Sequence, residues 1–264
     1  IRDSPNAFNT RENAADVYFV AETLGYKQFN YYGVSYGTLL GQYVTAQANK
    51  HKSKLRSVIL DGIVTTNIDF NLGAGHSMSY ALRNVFHACA QDLHCAQAYP
   101  NLEQKFLAIV DRLNQNPIPI SLTIPSSKLA IESQLDGNTF LNGVLHYLLR
   151  PYSGESARGS SLPKFIYAAS QGNFDWVTEK LSEDLENHTS AKEMYHTVLC
   201  ARAKSVQLTP SQLLPPAYPQ VLPVGIREAE AVTKVCDILQ AELKPPFIYE
   251  NPEIPTLLFN GAYD

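Results

Sequence analysis

The sequence predicts an α/β fold in which a parallel sheet is interrupted by a long, mostly helical insertion. Three observations point to it. Over the first 66 residues, helix-length and strand-length segments alternate with short links, as in a parallel sheet with crossover helices. Helical spacing then dominates as far as about residue 251. Strand character returns in Ile254-Pro255-Thr256-Leu257-Leu258-Phe259-Asn260-Gly261.

The first element is a helix. Asn9 or Thr10 can cap it. Arg11 to Leu24 follows, with apolar residues at Ala14, Val17, Val20, Ala21 and Leu24, a one-sided helical spacing. Gly25 is a natural stop. Gln28-Phe29-Asn30-Tyr31-Tyr32-Gly33-Val34 is aromatic and of strand length. Thr38 to Ala48 reads as a second helix. After a basic turn from His51 to Lys54, Arg56-Ser57-Val58-Ile59-Leu60-Asp61 reads as a buried strand.

Beyond Thr66 the pattern is helical in Met78 to Ala90, Leu102 to Leu113, Phe140 to Leu149, Leu162 to Ser170, Trp176 to Glu186 and Ala229 to Leu239. Breaks rich in Pro, Gly and Ser separate these stretches. One, Pro215-Pro216-Ala217-Tyr218-Pro219, is unsuited to helix. Ile118 to Ile124 has the character of a short strand. No internal repeat is evident. The chain therefore divides into sheet residues 1–66, a helical block 67–251, and sheet residues 252–264.

Composition narrows the function. The chain has 264 residues, 45% of them apolar, enough for a sizeable core. The net charge of −4 is mixed in sign. No basic stripe suggests nucleic acid and no Lys/Arg run suggests a membrane surface. The apolar runs fall far short of a membrane span. Ile1-Arg2-Asp3-Ser4-Pro5 is polar and unlike a signal peptide. The four cysteines, Cys89, Cys95, Cys200 and Cys236, contain no C-x-x-C. They read equally as paired disulfides in an oxidising compartment or as buried thiols in a cytosolic protein. Asn187-His188-Thr189 is a glycosylation triplet, too common by chance to carry weight.

The chemistry concentrates at Gly33-Val34-Ser35-Tyr36-Gly37. Gly-x-Ser-x-Gly is a weak motif alone and a specific one between a strand and a helix. There the serine occupies a tight turn that pushes its hydroxyl outward, and flanking glycines relieve backbone crowding. The helix N-terminus behind it offers free N–H groups to a developing oxyanion. Ser35 is the candidate nucleophile, and the Tyr36 N–H the candidate oxyanion donor. The bland alternative is an ordinary turn with an incidental serine.

Such a site needs an acid and a histidine, in the order Ser, acid, His. Asp264 follows the late strand and Gly261, where the acid belongs; it would hold the histidine tautomer. Asp61 also ends a strand, but a structural turn role suits it better. The seven histidines, His51, His76, His87, His94, His146, His188 and His196, all precede Asp264. All but His51 lie in the helical block, and His51 lies in a turn. Each reads as an ordinary surface or core residue, so the catalytic histidine is expected beyond residue 264.

Several segments together are similar to the tripeptidyl aminopeptidase and proline iminopeptidase-like branch (peptidase family S33 type) of the α/β-hydrolases. They are Asn9-Thr10-Arg11-Glu12-Asn13-Ala14-Ala15-Asp16, Tyr32-Gly33-Val34-Ser35-Tyr36-Gly37-Thr38 and Val58-Ile59-Leu60-Asp61-Gly62. Cys89 through Cys95 with Ala98-Tyr99-Pro100 resembles it too, as does Pro255-Thr256-Leu257-Leu258 leading to Gly261 and Asp264. The resemblance spans the chain and is most specific from Asn9 to Gly62. It implies an incomplete α/β-hydrolase sheet with a helical cap inserted after Leu60-Asp61-Gly62. It further implies cleavage of short peptides from the amino end without metal or organic cofactor. It favours Cys89–Cys95 and Cys200–Cys236 as bridges, and a secreted or periplasmic protein.

Three departures from the family pattern matter. The early strands with the His-Gly-Gly-Pro-Gly-type oxyanion loop would lie before Ile1. The terminal histidine segment would lie after Asp264. In the stretch Val198-Leu199-Cys200-Ala201-Arg202, family members often carry an acidic residue that meets a substrate ammonium; Arg202 is cationic and would repel it. The chain is thus expected to be a central piece, inactive by itself because strands without neighbours expose hydrogen-bonding edges. The alternatives are a carboxylesterase for small esters, and a non-catalytic binding protein of the same fold.

Overall fold

The computed structural model describes residues 7–65, 70–149, 158–186, 192–202, 215–240 and 253–261. These form two compact units. One takes in the described residues within 1–72, 191–214 and 228–261, and the other those within 73–190 and 215–227.

The first unit opens with helix α1 (Thr10–Thr23). Asn9, with extended backbone, caps it by accepting from the Arg11 and Glu12 N–H groups at 3.0 and 3.2 Å. The helix ends at Gly25, whose φ of +78° turns the chain. Gly25 and Tyr26 donate back to the Glu22 and Ala21 carbonyls, satisfying groups a helix end leaves free. The buried stripe is Thr10, Ala14, Tyr18 and Ala21. Val20 and Leu24, expected on that face, are exposed. Tyr18 is the reason: its ring sits in the core and its hydroxyl donates to the Val44 carbonyl at 2.8 Å. That sets the inward direction, and at 100° per residue Val20 points away.

Strand β1 (Gln28–Val34) follows as expected, then helix α2 (Tyr36–Gln47) and strand β2 (Lys54–Asp61), each beginning two residues earlier than its sequence pattern indicates, and α2 ending one residue earlier. β1 and β2 run parallel, from Gln28 opposite Lys54 to Val34 opposite Asp61. The core here is Ala14, Tyr18, Leu39, Tyr43, Val44, Leu55, Val58 and Leu60.

The second unit is helical with one hairpin. α3 (Phe70–Gln91) leads to the short α4 (Leu93–Ala98), which Asp92 caps. The Cys89–Cys95 disulfide joins the two. α5 (Leu102–Gln115) buries Leu102, Phe106, Ile109, Val110 and Leu113, a regular apolar stripe. β3 (Ile118–Thr123) and β4 (Ala130–Leu135) form an antiparallel pair, then α6 (Gly137–Leu149), α7 (Arg158–Ser170) and α8 (Asp175–Glu186) follow. β4 is not expected from its residues. Most of Ala130-Ile131-Glu132-Ser133-Gln134-Leu135 is exposed, so pairing with β3 rather than an apolar pattern makes it a strand. Phe106, Phe140, Leu82, Leu135, Leu141 and Ile166 are fully buried in this core.

Asp136 shows how one side chain starts a helix here. Its carboxylate accepts from the Thr139 N–H at 2.7 Å, capping α6, and meets Arg227 at 3.3 Å. Burial alone would raise its pKa; the Thr139 hydrogen bonds and the Arg227 charge outweigh that and hold it below its ordinary 3.8. Asp136→Ala is therefore expected to cost about 1 kcal/mol at neutral pH. A folded pKa below the unfolded one stabilises fully above the ordinary value and is lost as pH falls through the lowered one. Urea midpoints of wild type and variant should thus differ at neutral pH and converge in strong acid.

α9 (Lys192–Arg202), unexpected from sequence, and α10 (Pro223–Leu239) are joined by the Cys200–Cys236 disulfide. The Cα separations of the two bridges, 5.1 and 5.2 Å, are ordinary for disulfides. Both match the pairings the resemblance favoured. β5 (Thr256–Phe259) then pairs parallel to β2, giving the sheet order β1-β2-β5. Among the described residues no helix is long and apolar enough to cross a membrane.

Candidate active site

Parallel pairing places the carboxyl ends of three strands together. Val34 lies opposite Asp61, and Asp61 opposite Phe259. Ser35, Gly62 and Asn260 therefore leave the sheet at one edge, the carboxyl edge where open α/β sheets bind ligands. Cross-bonds fix this edge. The Ser35 N–H donates to the Asp61 carbonyl, Gly62 N–H to the Phe259 carbonyl, and Ile63 N–H to the Asn260 side chain.

Ser35 itself has φ +53° and ψ −120°, outside the regions that suit a side-chain-bearing residue. Such a conformation costs about 1–3 kcal/mol and persists only where its surroundings hold it. The surroundings are specific. Gly33 permits the turn, because a Cβ there would run into the Gly37 carbonyl, whose carbon lies 2.5 Å away, and into the Tyr31 ring at 2.8 Å. The Tyr31 hydroxyl donates to the Gly37 carbonyl at 2.7 Å. Burial, with the neighbouring Tyr36 adding to it, pushes the Tyr31 phenol up to about 12, so it stays a donor at neutral pH. The buried Thr38 hydroxyl donates to the Ser35 carbonyl at 2.7 Å and accepts from the Val64 N–H at 2.8 Å. Ser35 is exposed and its hydroxyl makes no capping bond to α2.

Tyr36 is the first residue of α2, so its N–H has no intrahelical acceptor. Its phenol is anchored to α1 by Asn13 and Thr10. Asp61 is engaged on the sheet edge, where its carboxylate accepts from the Tyr32 hydroxyl at 3.0 Å. That hydrogen bond, with desolvation and the carboxylate charge, raises the Tyr32 pKa.

This strand–turn–helix arrangement lies within a match to a family model. The model, described as alpha/beta hydrolase fold, matches residues 2–198. The chain belongs to this α/β-hydrolase family. Among curated proteins none matches. Membership supports hydrolase chemistry in general, and the parallel sheet with its helical insertion is the α/β-hydrolase architecture in incomplete form.

The other sequence candidates fall variously. Asp264, His188, the Asn187-His188-Thr189 triplet and the segment from Ile1 to Pro5 lie outside the described residues, as does the side chain of Arg202. His51 precedes β2, at the end of the sheet opposite Ser35. Across the seven residues of β1 that is about 20 Å, too far for a base on this serine. Its ring instead stacks on Tyr18, with centroids 4.1 Å apart, and faces Glu22 at 3.8 Å. Among the described residues no cluster of His, Cys, Asp and Glu could hold a metal ion. The supporting roles of Tyr31, Thr38 and Asn13 have no signal of their own in the sequence. The three sit in ordinary helical and strand positions, and only the fold turns them toward the elbow of this α/β-hydrolase.

Proposed function

We propose that this chain supplies the nucleophile of a serine hydrolase that removes short peptides from the amino end of a substrate through an acyl-enzyme. The observation that carries the reading is Ser35, exposed and held at φ +53° between a parallel strand and a free helix N-terminus. Its Oγ attacks the scissile carbonyl carbon as its proton passes to a histidine outside residues 1–264, oriented by Asp264. The carbonyl oxygen, now negative, is met by the Tyr36 N–H. Collapse of this intermediate breaks the C–N bond, and the amine leaves with the proton held by the histidine. Water then attacks the ester by the same route, releasing the acid and restoring Ser35.

The sequence resemblance supports peptides over esters, and the two disulfides support an oxidising, secreted or periplasmic setting. Arg202 weighs against amino-terminal specificity, since a cation suits a substrate carboxylate, or a plain surface position, better than a free amino terminus. The full-length gene product, labelled with an alkyl fluorophosphonate and digested, should carry the label on Ser35. Aminoacyl-arylamides should be turned over in preference to arylesters of the same acyl group. The reverse preference would replace the peptidase by the esterase, and absence of label on Ser35 would end both.

A further inference from the structure

The bonds between α1 and α2 do more than dock two helices. Among the described residues, three ties between them stand out. Tyr18 donates to the Val44 carbonyl at 2.8 Å, and Gln47 donates to the Arg11 carbonyl at 2.9 Å. The third is at the elbow. Asn13 Nδ2 donates to Tyr36 Oη at 2.9 Å, and Tyr36 Oη donates onward to Thr10 Oγ1 at 3.3 Å. The first two secure the middle and far end of α2. The third holds Tyr36, whose N–H is the oxyanion donor of the proposed mechanism.

We propose that Asn13, acting through the Tyr36 phenol, is a positioning residue for the oxyanion-binding N–H of Tyr36. The proposal rests on the reading of Ser35 as nucleophile. An unanchored first residue is the most easily frayed part of a helix, because its N–H lacks an intrahelical acceptor. Only two side-chain torsions separate the Tyr36 ring from the Cα beside that amide, so clamping Oη restricts where the N–H points. Asn13 is well placed to clamp because α1 is fixed on both sides of it, by the Asn9 cap before and by buried Ala14 and Tyr18 after. An oxyanion donor acts through its direction, so an error of a few tenths of an ångström costs rate with no change in the resting bonds to substrate.

The test uses the full-length enzyme and an aminoacyl-arylamide. Asn13→Ala is expected to lower kcat about tenfold, the worth of one hydrogen bond in the transition state, with KM unchanged. Tyr36→Phe keeps the packed ring and removes both phenol bonds, so it should do the same even if Asn13→Ala folds poorly. The double variant should be no worse than Tyr36→Phe alone, since both changes cut one connection. Affinity for a peptide boronic acid, whose serine adduct is tetrahedral, should fall in step with kcat. Gln47→Ala, which cuts a tie remote from the elbow, should leave kcat as it is. Rates within twofold of wild type for both elbow variants, or a rise in KM alone, would overturn the proposal. So would an equal loss in Gln47→Ala, which would reduce the tie to ordinary helix docking. Ser35→Ala serves as the separate check on the underlying reading: if it retains turnover, the nucleophile assignment fails first.

Discussion

Replacing Ser35 by alanine in the full-length protein is expected to abolish hydrolysis of peptide and ester substrates alike, lowering kcat by about 10⁴-fold or more. In the proposed mechanism the serine oxygen forms the covalent bond, so its removal leaves only what binding and oxyanion stabilisation provide. KM should change far less. Stability should also change little, because alanine carries the same Cβ into the same positive-φ turn. Ser35→Gly separates the two properties. It should be as inactive as alanine yet more stable, because glycine reaches φ +53° without the strain of about 1–3 kcal/mol. Thermal melts and steady-state rates on the three proteins decide this. Turnover by Ser35→Ala near the wild-type level would remove the nucleophile from the mechanism. A melting point for Ser35→Gly below that of Ser35→Ala would show that the elbow stores no strain.

The second large effect belongs to the glycines of the elbow, and it is unequal. The motif pairs Gly33 and Gly37 as though they did the same work. They do not. A Cβ on Gly33 meets backbone, the Gly37 carbonyl group, which cannot step aside without opening α2. Gly33→Ala should therefore destabilise by about 3 kcal/mol or more and take activity with it, since the turn must widen. A Cβ on Gly37 meets nothing nearer than the Tyr31 hydroxyl at 3.7 Å, an ordinary contact. Gly37 is the second residue of α2, where alanine keeps part of the preference over glycine that reaches about 1 kcal/mol in a helix interior. Gly37→Ala should fold at least as stably as wild type. Urea unfolding of the two variants tests the contrast, and equal destabilisation would show that the crowding at Gly33 is not what the turn depends on.

The elbow and its flanking strand and helix were legible because they combine two local signals, an aromatic strand-length run and a glycine-bounded serine ahead of a helical stretch. Both act over a few residues. A cap at Asn9 or Thr10, which the structure assigns to Asn9, and the stop at Gly25 were legible for the same reason: each satisfies backbone groups within one turn. The inward face of α1 is less legible. Val20 and Leu24 fit an apolar stripe on paper, but Tyr18 and its bond to Val44 decide which way the helix faces. β4 left no trace in its residues, because a strand that is mostly exposed shows no alternation of burial. The disulfide pairing stayed open on cysteine count alone and rested on the family resemblance.

By itself, then, the sequence determined where this protein makes its turn and which side chain that turn presents. Glycine, serine and a following helix constrain the backbone locally, and local constraints are written in adjacent residues. Only the tertiary structure decided what holds Ser35 in its positive-φ conformation. Tyr31 reaches under the turn to the Gly37 carbonyl, Thr38 bridges the Ser35 carbonyl and the Val64 N–H, and Asn13 reaches Tyr36 from a different helix. It also brought β5 beside β2, so that Ser35, Gly62 and Asn260 leave one edge of the sheet. Hydrogen bonds and strand registers between distant segments depend on how those segments pack, and no pattern within either segment carries that information.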